Sequence, residues 1–504
     1  MKAAKDLAVL EASGLVSIAA LQPELEYMFR HALLQDAAYG SLLKQERREL
    51  HRRVARALDE LYPDRRDELA GVVALHLEQA GDAEAAAERY VAAGDHALAR
   101  HAKTEARALF ERALALIVAD DARPASRQLR VRAIVGSTRA GWTFVPPGEA
   151  AERIGAVLAD AEATGDIRLI GQAHFWNAFL RRQVGETVET SPGLRRSLAR
   201  ARELAQQSGD AVGIAMTEAF NGASLVLTGK MREGTAILEE HLPIIESQGD
   251  PLSAALLNDL LTLGYARLGD FASAERSVAR AERLARDGDP LARLDVTLAR
   301  AQIAGERGES AVAIELGTSC ARDSDALGAP ACAVVANLIV GTSRLRLEDA
   351  ASARPPLERG YQLSTTVGLP PLRNLTGGML AGTVVRLGDR AQIVGWDEAL
   401  AGARALADRY GEATILAERA ASRMRSGDPA DDAIMSDLAT AVRLFEAIEA
   451  RPALARAPRE QARALDAAGP TSEADAARSR AAGIEKDLGI APRTEHDTAK
   501  APIA

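Results

Sequence analysis

The chain has 504 residues, 4% of them aromatic, with two cysteines and a formal net charge of −9. So mild a charge on so long a chain argues against a general nucleic-acid binder and against a membrane-surface protein. Cys320 and Cys332 fall in different predicted helices with no metal-ligand spacing, which excludes a disulfide framework and a cysteine metal centre and leaves each as a small buried hydrophobe in a reducing, cytoplasmic setting.

At the N-terminus Asp6 and Glu11 break the apolar run, and no later stretch approaches the roughly 20 apolar residues of a membrane span. Residues 15–18 and 25–29 are short strand-like runs around Gln22-Pro23-Glu24, which predicts a hairpin. Helices are predicted over 32–43 and 46–61, the second stopped by Pro63-Asp64. The second carries a basic stripe, Lys44, Arg48, Arg52 and Arg56, with Arg47 and Arg53 beside it. Leu43, Leu50, Val54, Ala57 and Leu61 lie on the opposite face. A basic helix beside a hairpin invites a DNA-binding reading. Glu46, Glu49, Asp59 and Glu60 partly neutralise it and no aromatic residues interleave, so the stripe reads as a solvated outer face.

Gly81-Asp82, followed by Ala86, Tyr90 and Ala93, opens a helical array. His96 and His101 are too far round the helix from each other to act as paired metal ligands. Asp120-Asp121 and Asp431-Asp432 sit in predicted turns, where helix capping explains them. Trp142 and Phe144 flank the turn at Pro146-Pro147-Gly148. His174, Phe175, Trp176 and Phe179 form the densest aromatic cluster, assigned to the core by their helical spacing.

From there a glycine returns about every forty residues, at Gly165, Gly209, Gly249, Gly288, Gly328, Gly368 and Gly411. A second series falls midway, at Gly185, Gly229, Gly269, Gly308 and Gly388, while Glu348-Asp349 stands at one inner turn without a glycine. Small residues recur at Gly234, Ala274, Ala313 and Ala353. A column of mostly aliphatic residues runs Leu198, Leu238, Val278, Gly317, Leu357, Leu400, and a third column runs Ala201, His241, Ala281, Cys320, Gly360, Ala403. Within each unit these positions share one helix face. Helix, turn, helix, turn at this period predicts an all-α fold: a right-handed α-solenoid of paired helices.

The clearest unit holds Tyr265, Gly269, Asp270, Phe271, Ala274, Val278 and Ala281. It resembles the second half of the tetratricopeptide repeat, whose usual period is about 34; the longer period here resembles the extended variant of large bacterial signalling proteins. A second resemblance covers residues 7–116. The run from Glu26 through Arg30, His31 and Asp36 to Tyr39, then Arg47 to Ala55, then Gly81-Asp82 with Ala86, Tyr90 and Ala93, is similar to the junction of winged helix and helical repeats in bacterial signal-transduction ATPases with numerous domains. Relatives in that group often carry an adenylate/guanylate cyclase or protein kinase domain. The resemblance implies a partial winged helix over 1–62 and first tetratricopeptide-like helices over 63–164; the glycine period gives tandem repeats over 165–450, its fading gives capping helices over 451–490, and the polar, Pro-containing end predicts a disordered tail over 491–504. No G-x4-G-K-[ST] loop is present, since Gly229-Lys230 is followed by Met231, and no cyclase or kinase segment is found. The chain therefore reads as a C-terminal piece of a larger signalling protein or as a separately encoded remnant.

The resemblance singles out His31. In that superfamily a histidine near the start of a winged-helix helix can touch the β-phosphate of bound ADP. Arg30-His31-Ala32-Leu33-Leu34 is similar to the Met-His-Asp-Leu stretch of plant immune-receptor relatives, which implies a phosphate sensor toward an ATPase supplied in trans. A helix N-terminus suits that task; the structural alternative is a histidine that braces the hairpin. No nucleophile–base–acid set occurs at a catalytic spacing, and no cofactor or metal is expected. The reading is a non-catalytic scaffold or sensor that binds a protein partner such as a signalling ATPase, cyclase or kinase. Two alternatives stand beside it: a small-molecule-sensing repeat domain of a transcriptional regulator, and a fragment of an ATP-dependent cyclase-type regulator.

Overall fold

The structure, a computed structural model, describes residues 2–20, 26–118, 121, 123–188, 190–247, 251–286, 290–389, 395–467 and 471–490. The predicted tail 491–504, the Gln22-Pro23-Glu24 turn, Asp120 and the turns at Gly249 and Gly288 lie outside the described residues. The chain forms two compact units, Met1–Ser137 and Thr138–Ala504.

The first unit begins with α1 (Lys2–Ala12), β1 (Val16–Ala20), β2 (Glu26–Phe29), α2 (Ala32–Ser41) and α3 (Lys44–Leu61). A 3-10 turn at Pro63–Arg65 leads to α4 (Arg66–Ala80), α5 (Ala83–Ala99), α6 (Lys103–Leu116) and α7 (Pro124–Gly141), within which the division between units falls. The predicted hairpin forms: β1 and β2 pair antiparallel, with Val16 opposite Phe29 and Ile18 opposite Tyr27. Among α4 to α7, Phe110 is fully buried with its ring against Gly94 and Gly136, where any added side chain would collide with it.

The basic stripe on α3 is solvated at Lys44, Arg48, Arg53 and Arg56, which are exposed, but not at Arg52, which is half-buried and paired. Arg52 donates to both carboxylate oxygens of Asp82, at 2.8 and 2.9 Å, and to Glu49 at 2.9 Å. Arg48 lies over Gly81 in the α4–α5 turn. The negative end of α4 and the Asp82 carboxylate together draw the Arg52 guanidinium inward. The apolar face of α3 is exposed as well, with Leu43 71% and Leu61 70% accessible and Leu50 and Val54 exposed beside them.

The second unit opens with α8 (Pro147–Gly155) and α9 (Leu158–Thr164). Hairpins then follow: α10 (Ile167–Gln183) with α11 (Pro192–Gln207), α12 (Ala211–Leu227) with α13 (Met231–Ser247), α14 (Pro251–Leu268) with α15 (Phe271–Ala285), and α16 (Pro290–Arg307) with α17 (Ser310–Leu327). They continue as α18 (Pro330–Arg346) with α19 (Ala350–Val367), α20 (Pro370–Arg386) with α21 (Trp396–Ala405), α22 (Arg409–Arg425) with α23 (Asp432–Ala447), and α24 (Arg451–Ala467) with α25 (Ser472–Leu488). Each hairpin packs on its neighbours in sequence, so the array is an α-solenoid of tetratricopeptide-like hairpins.

The glycine series marks its turns. Gly165, Gly209, Gly328 and Gly368 between hairpins, and Gly185, Gly229, Gly269, Gly308 and Gly388 within them, hold φ between 64° and 95°, where a Cβ is penalised. Glu348 takes that conformation at the inner turn without glycine, at φ 61°. Gly411 does not mark a turn: Ala407, at φ 52°, makes the one before α22, and the Gly411 N–H donates to the Asp408 carboxylate that caps this helix. Asp166, Asp210, Asp270, Asp349 and Asp431 cap their helices in the same way. The small column, Gly234, Ala274, Ala313 and Ala353, is buried throughout, as are Leu238, Val278, Gly317, Leu357 and Leu400. Leu198 and His241 are half-buried.

This solenoid winds until it meets itself. Helix α24 packs on α14 and α16. Gly185 faces Leu406, Gly229 faces Ile448 and Gly269 faces Leu488. Arg232 donates to Glu449, 217 residues further on. Among the described residues no helix is long and apolar enough to cross a membrane.

Candidate functional site

Inside this turn of the second unit lies a cavity of about 490 Å³, a size typical of small-ligand sites, which run from about 300 to 1,000 Å³. The first helix of each hairpin, from α10 to α22, supplies its wall. Leucines dominate, among them Leu252, Leu256, Leu260, Leu263, Leu291 and Leu298, joined by Trp142, Phe144 and Phe179. The solenoid places them there because the inner helices need an apolar stripe on two faces: one against their hairpin partner and one lining the concave side.

Charged groups interrupt this lining. On α14, Asp259 is 5% exposed, and its Oδ1 has no hydrogen-bond partner among the described residues. Burial first, and then the neighbouring Asp295 carboxylate on α16, push the Asp259 carboxyl well above the usual carboxylate range, while Gln302 opposes this. The Oε1 of Gln302 is likewise buried and unpartnered. Cys332 on α18 lies with its Sγ 3.6 Å from Asp295 Oδ1, and burial followed by that carboxylate raises its thiol well above the usual range. Cys320 is fully buried and its thiol is pushed up to about 12, chiefly by burial.

On α10, Arg182 is half-buried and its side chain makes no hydrogen bond, ion pair or ring contact among the described residues. Desolvation alone pulls its guanidinium down to about 10. The adjacent Glu186 does not neutralise it, because Glu186 accepts from Arg181 at 2.9 Å and from Ser191. Across the cavity wall Glu306 is paired, whereas Arg267 keeps its Nε buried without a hydrogen-bond partner among the described residues. Glu306 accepts from Tyr410 Oη at 2.7 Å and from Arg456 at 2.8 Å. Burial would raise the Glu306 carboxyl, but Arg456, Arg346 and Arg267 outweigh it and hold it at about 2. The Arg267 guanidinium stacks on the Tyr410 ring, 3.6 Å from its centroid.

The residues marked in the sequence are distributed differently. His31 belongs to the first unit, is exposed, and stands at the N-cap of α2 without a side-chain capping bond. His174 is built into the fold, its ring nitrogens 3.2 Å from Ser197 Oγ and 3.1 Å from a Glu162 oxygen. The aromatic cluster joins Trp142, Phe179, Phe220, Phe175 and Trp176 ring to ring, and Phe179 with Trp142 also faces the cavity. Arg182, Asp259, Asp295 and Gln302 escaped the sequence reading. The available signal was a lone aspartate within the leucine-rich run of α14 and another within α16. Periodicity alone does not say which face of an all-round apolar helix meets a cavity.

No family model matches the chain. Over 90 residues, 18% of the chain, it is 38% identical to an uncharacterized protein of Rhizobium meliloti, and the chain spans 9% of that protein's length. Among solved structures it is similar to a Rap protein complexed with competence and sporulation factor, at a TM-score of 0.42 and 11% identity over 80% of this chain and 98% of that one. It is also similar to a signal transduction ATPase with numerous domains bearing a tetratricopeptide repeat sensor, from Pyrococcus horikoshii, at 0.39 and 14% over 73% of this chain and 54% of that one. A third is aspartyl phosphate phosphatase F of Bacillus subtilis, at 0.37 and 10% over 81% of this chain and 96% of that one.

Proposed function

We propose that this chain is a non-catalytic helical-repeat sensor: its second unit holds a ligand in the cavity, and the solenoid passes occupancy to a protein partner. The observation that carries this is a single one. The wall of an apolar cavity lined by the inner helices keeps polar atoms of Asp259 and Gln302 buried without partners among the described residues. Each such group costs about 1–3 kcal/mol, a cost that a bound molecule supplying the missing partners offsets. A ligand wedged between inner helices changes their spacing, and a stack of repeats sums such changes into a change of curvature. The closing contacts between Arg232 and Glu449, and between Glu306 and Arg456, are where the change is read out.

The resemblance of residues 7–116 supports a signalling ATPase, cyclase or kinase of a bacterial cytoplasm as the partner. In that setting His31, exposed at a helix N-terminus, is the candidate contact to a partner's bound nucleotide.

Thermal unfolding in the presence of the sub-kilodalton fraction of a bacterial extract tests the sensing role. The expected result is a rise of several degrees for the native chain, since a ligand at a hundred times its Kd adds about 2.7 kcal/mol. Val335→Trp, which fills the cavity from α18, removes the response while keeping the fold. No stabilisation of the native chain by any fraction overturns the reading.

A further inference from the structure

The cavity wall is asymmetric in charge, and the asymmetry specifies a ligand. Arg182 stands on α10 with no counter-ion. Asp259 stands on α14 with a buried, unpartnered oxygen and a second carboxylate, Asp295, close enough to repel it. One inner helix, α12, separates the two elements and packs on both. Packed helix axes lie about 8–10 Å apart, so the cation and the carboxylate pair are held well apart, with leucines between them.

We infer that the cavity recognises an elongated apolar zwitterion, its anionic end on Arg182 and its ammonium end on Asp259 and Asp295. The inference rests on the sensing role proposed above and specifies its ligand class.

Three features of the wall converge on this chemistry. An arginine desolvated without a partner gains a charge-assisted pair when a carboxylate arrives, and its planar fork takes both oxygens. Two neighbouring carboxylates lose their mutual repulsion when an ammonium joins them, and three N–H donors match the unpartnered Asp259 oxygen. The apolar stretch between the poles excludes a ligand made only of polar groups, because its middle would be desolvated without compensation. A plain fatty anion satisfies only Arg182, and a plain amine only the aspartates. Reach sets the length: an extended peptide advances about 3.3–3.6 Å per residue, so a few residues, or an alkyl chain of like length, bridge the two poles.

Calorimetric titration of the full chain tests this with defined probes. The first set is tri-leucine with free termini, its N-acetylated form and its C-amidated form. The second is a graded series of straight-chain ω-amino carboxylates, with alkyl carboxylates and alkylamines of matching length. The free zwitterions are expected to bind at least tenfold more tightly than any form lacking one charge, with an optimum in chain length. Arg182→Gln is expected to abolish the penalty of amidation while keeping that of acetylation; Asp259→Asn does the reverse. Asp259→Asn relieves the repulsion with Asp295 and so preserves the fold, and the capped probes test the native chain without any substitution. Equal binding of free and capped probes overturns the inference, as does a loss in either variant that ignores which end is capped. If an extract fraction stabilises the native chain and no zwitterion binds, the sensing role stands and this ligand class falls. If neither does, both fall.

Discussion

Each turn of the array makes two demands on adjacent residues, and the sequence answers both. The closing residue of one helix needs left-handed backbone, which glycine adopts without strain, as at Gly269 with φ 80°. The next residue must satisfy the first N–H groups of the following helix, as Asp270 does for Ser273 at 3.0 Å. These are local requirements, which is why the glycine series was legible. Histidines behave otherwise, because their surroundings come from distant residues. His51 and His76 share a hydrogen bond between Nδ1 atoms 2.8 Å apart, and Tyr39 Oη lies 3.0 Å from His51 Nε2. One Nδ1 must stay unprotonated to accept. Burial, then the His51 charge, push His76 below its ordinary 6.5. The unfolded chain therefore binds more protons than the folded one just below pH 6.5, and stability falls as pH drops through that range and on to the folded pKa. His174, also lowered by burial, adds to the trend in the second unit. Thermal unfolding should lose several degrees between pH 7.5 and 5, and His76→Gln should flatten the curve for the first unit, read by hydrogen exchange of α3 and α4.

Among elements, close approach of helices is what the small columns provide. A Cβ on Gly234 would collide with the Gly222 carbonyl oxygen, so α12 and α13 touch backbone to backbone. Gly234→Ala should destabilise the chain by about 1–3 kcal/mol through overpacking, measured by urea unfolding. Gly308→Ala should also cost stability, although the space beside it is open, because its φ of 82° strains any side chain. Helix boundaries, capping residues and buried columns were legible from spacing. The surroundings of α3 were legible only in part. Its pattern of basic and apolar faces suggested arginines outward, as Arg48, Arg53 and Arg56 are, but the partner that draws Arg52 in, Asp82, is reached only once α4 has folded back.

At the scale of the whole molecule, the winding of the second unit decides what the repeats can do. Glu306 meets Tyr410 and Arg456 across separations of 104 and 150 residues, and no local pattern announces that meeting. Removing one partner leaves a buried charge, which typically costs about 3–5 kcal/mol. Arg456→Ala should accordingly release α24 and α25 from the turn below. Hydrogen exchange should report faster opening of those two helices while α10 to α13 stay protected; uniform protection in the variant would show that the closure does not depend on this pair. The same winding brings Arg182, Asp259, Asp295 and Gln302 to one cavity.

The repeat, its turns, its caps and the small-residue face are written locally in the chain, because each depends on residues within one or two helical turns of each other. The cavity, its charges and the closure of the solenoid exist only in the folded molecule. Those arise from the small rotation between successive hairpins, summed over many repeats, and a sum of small angles is written in no single stretch of the chain.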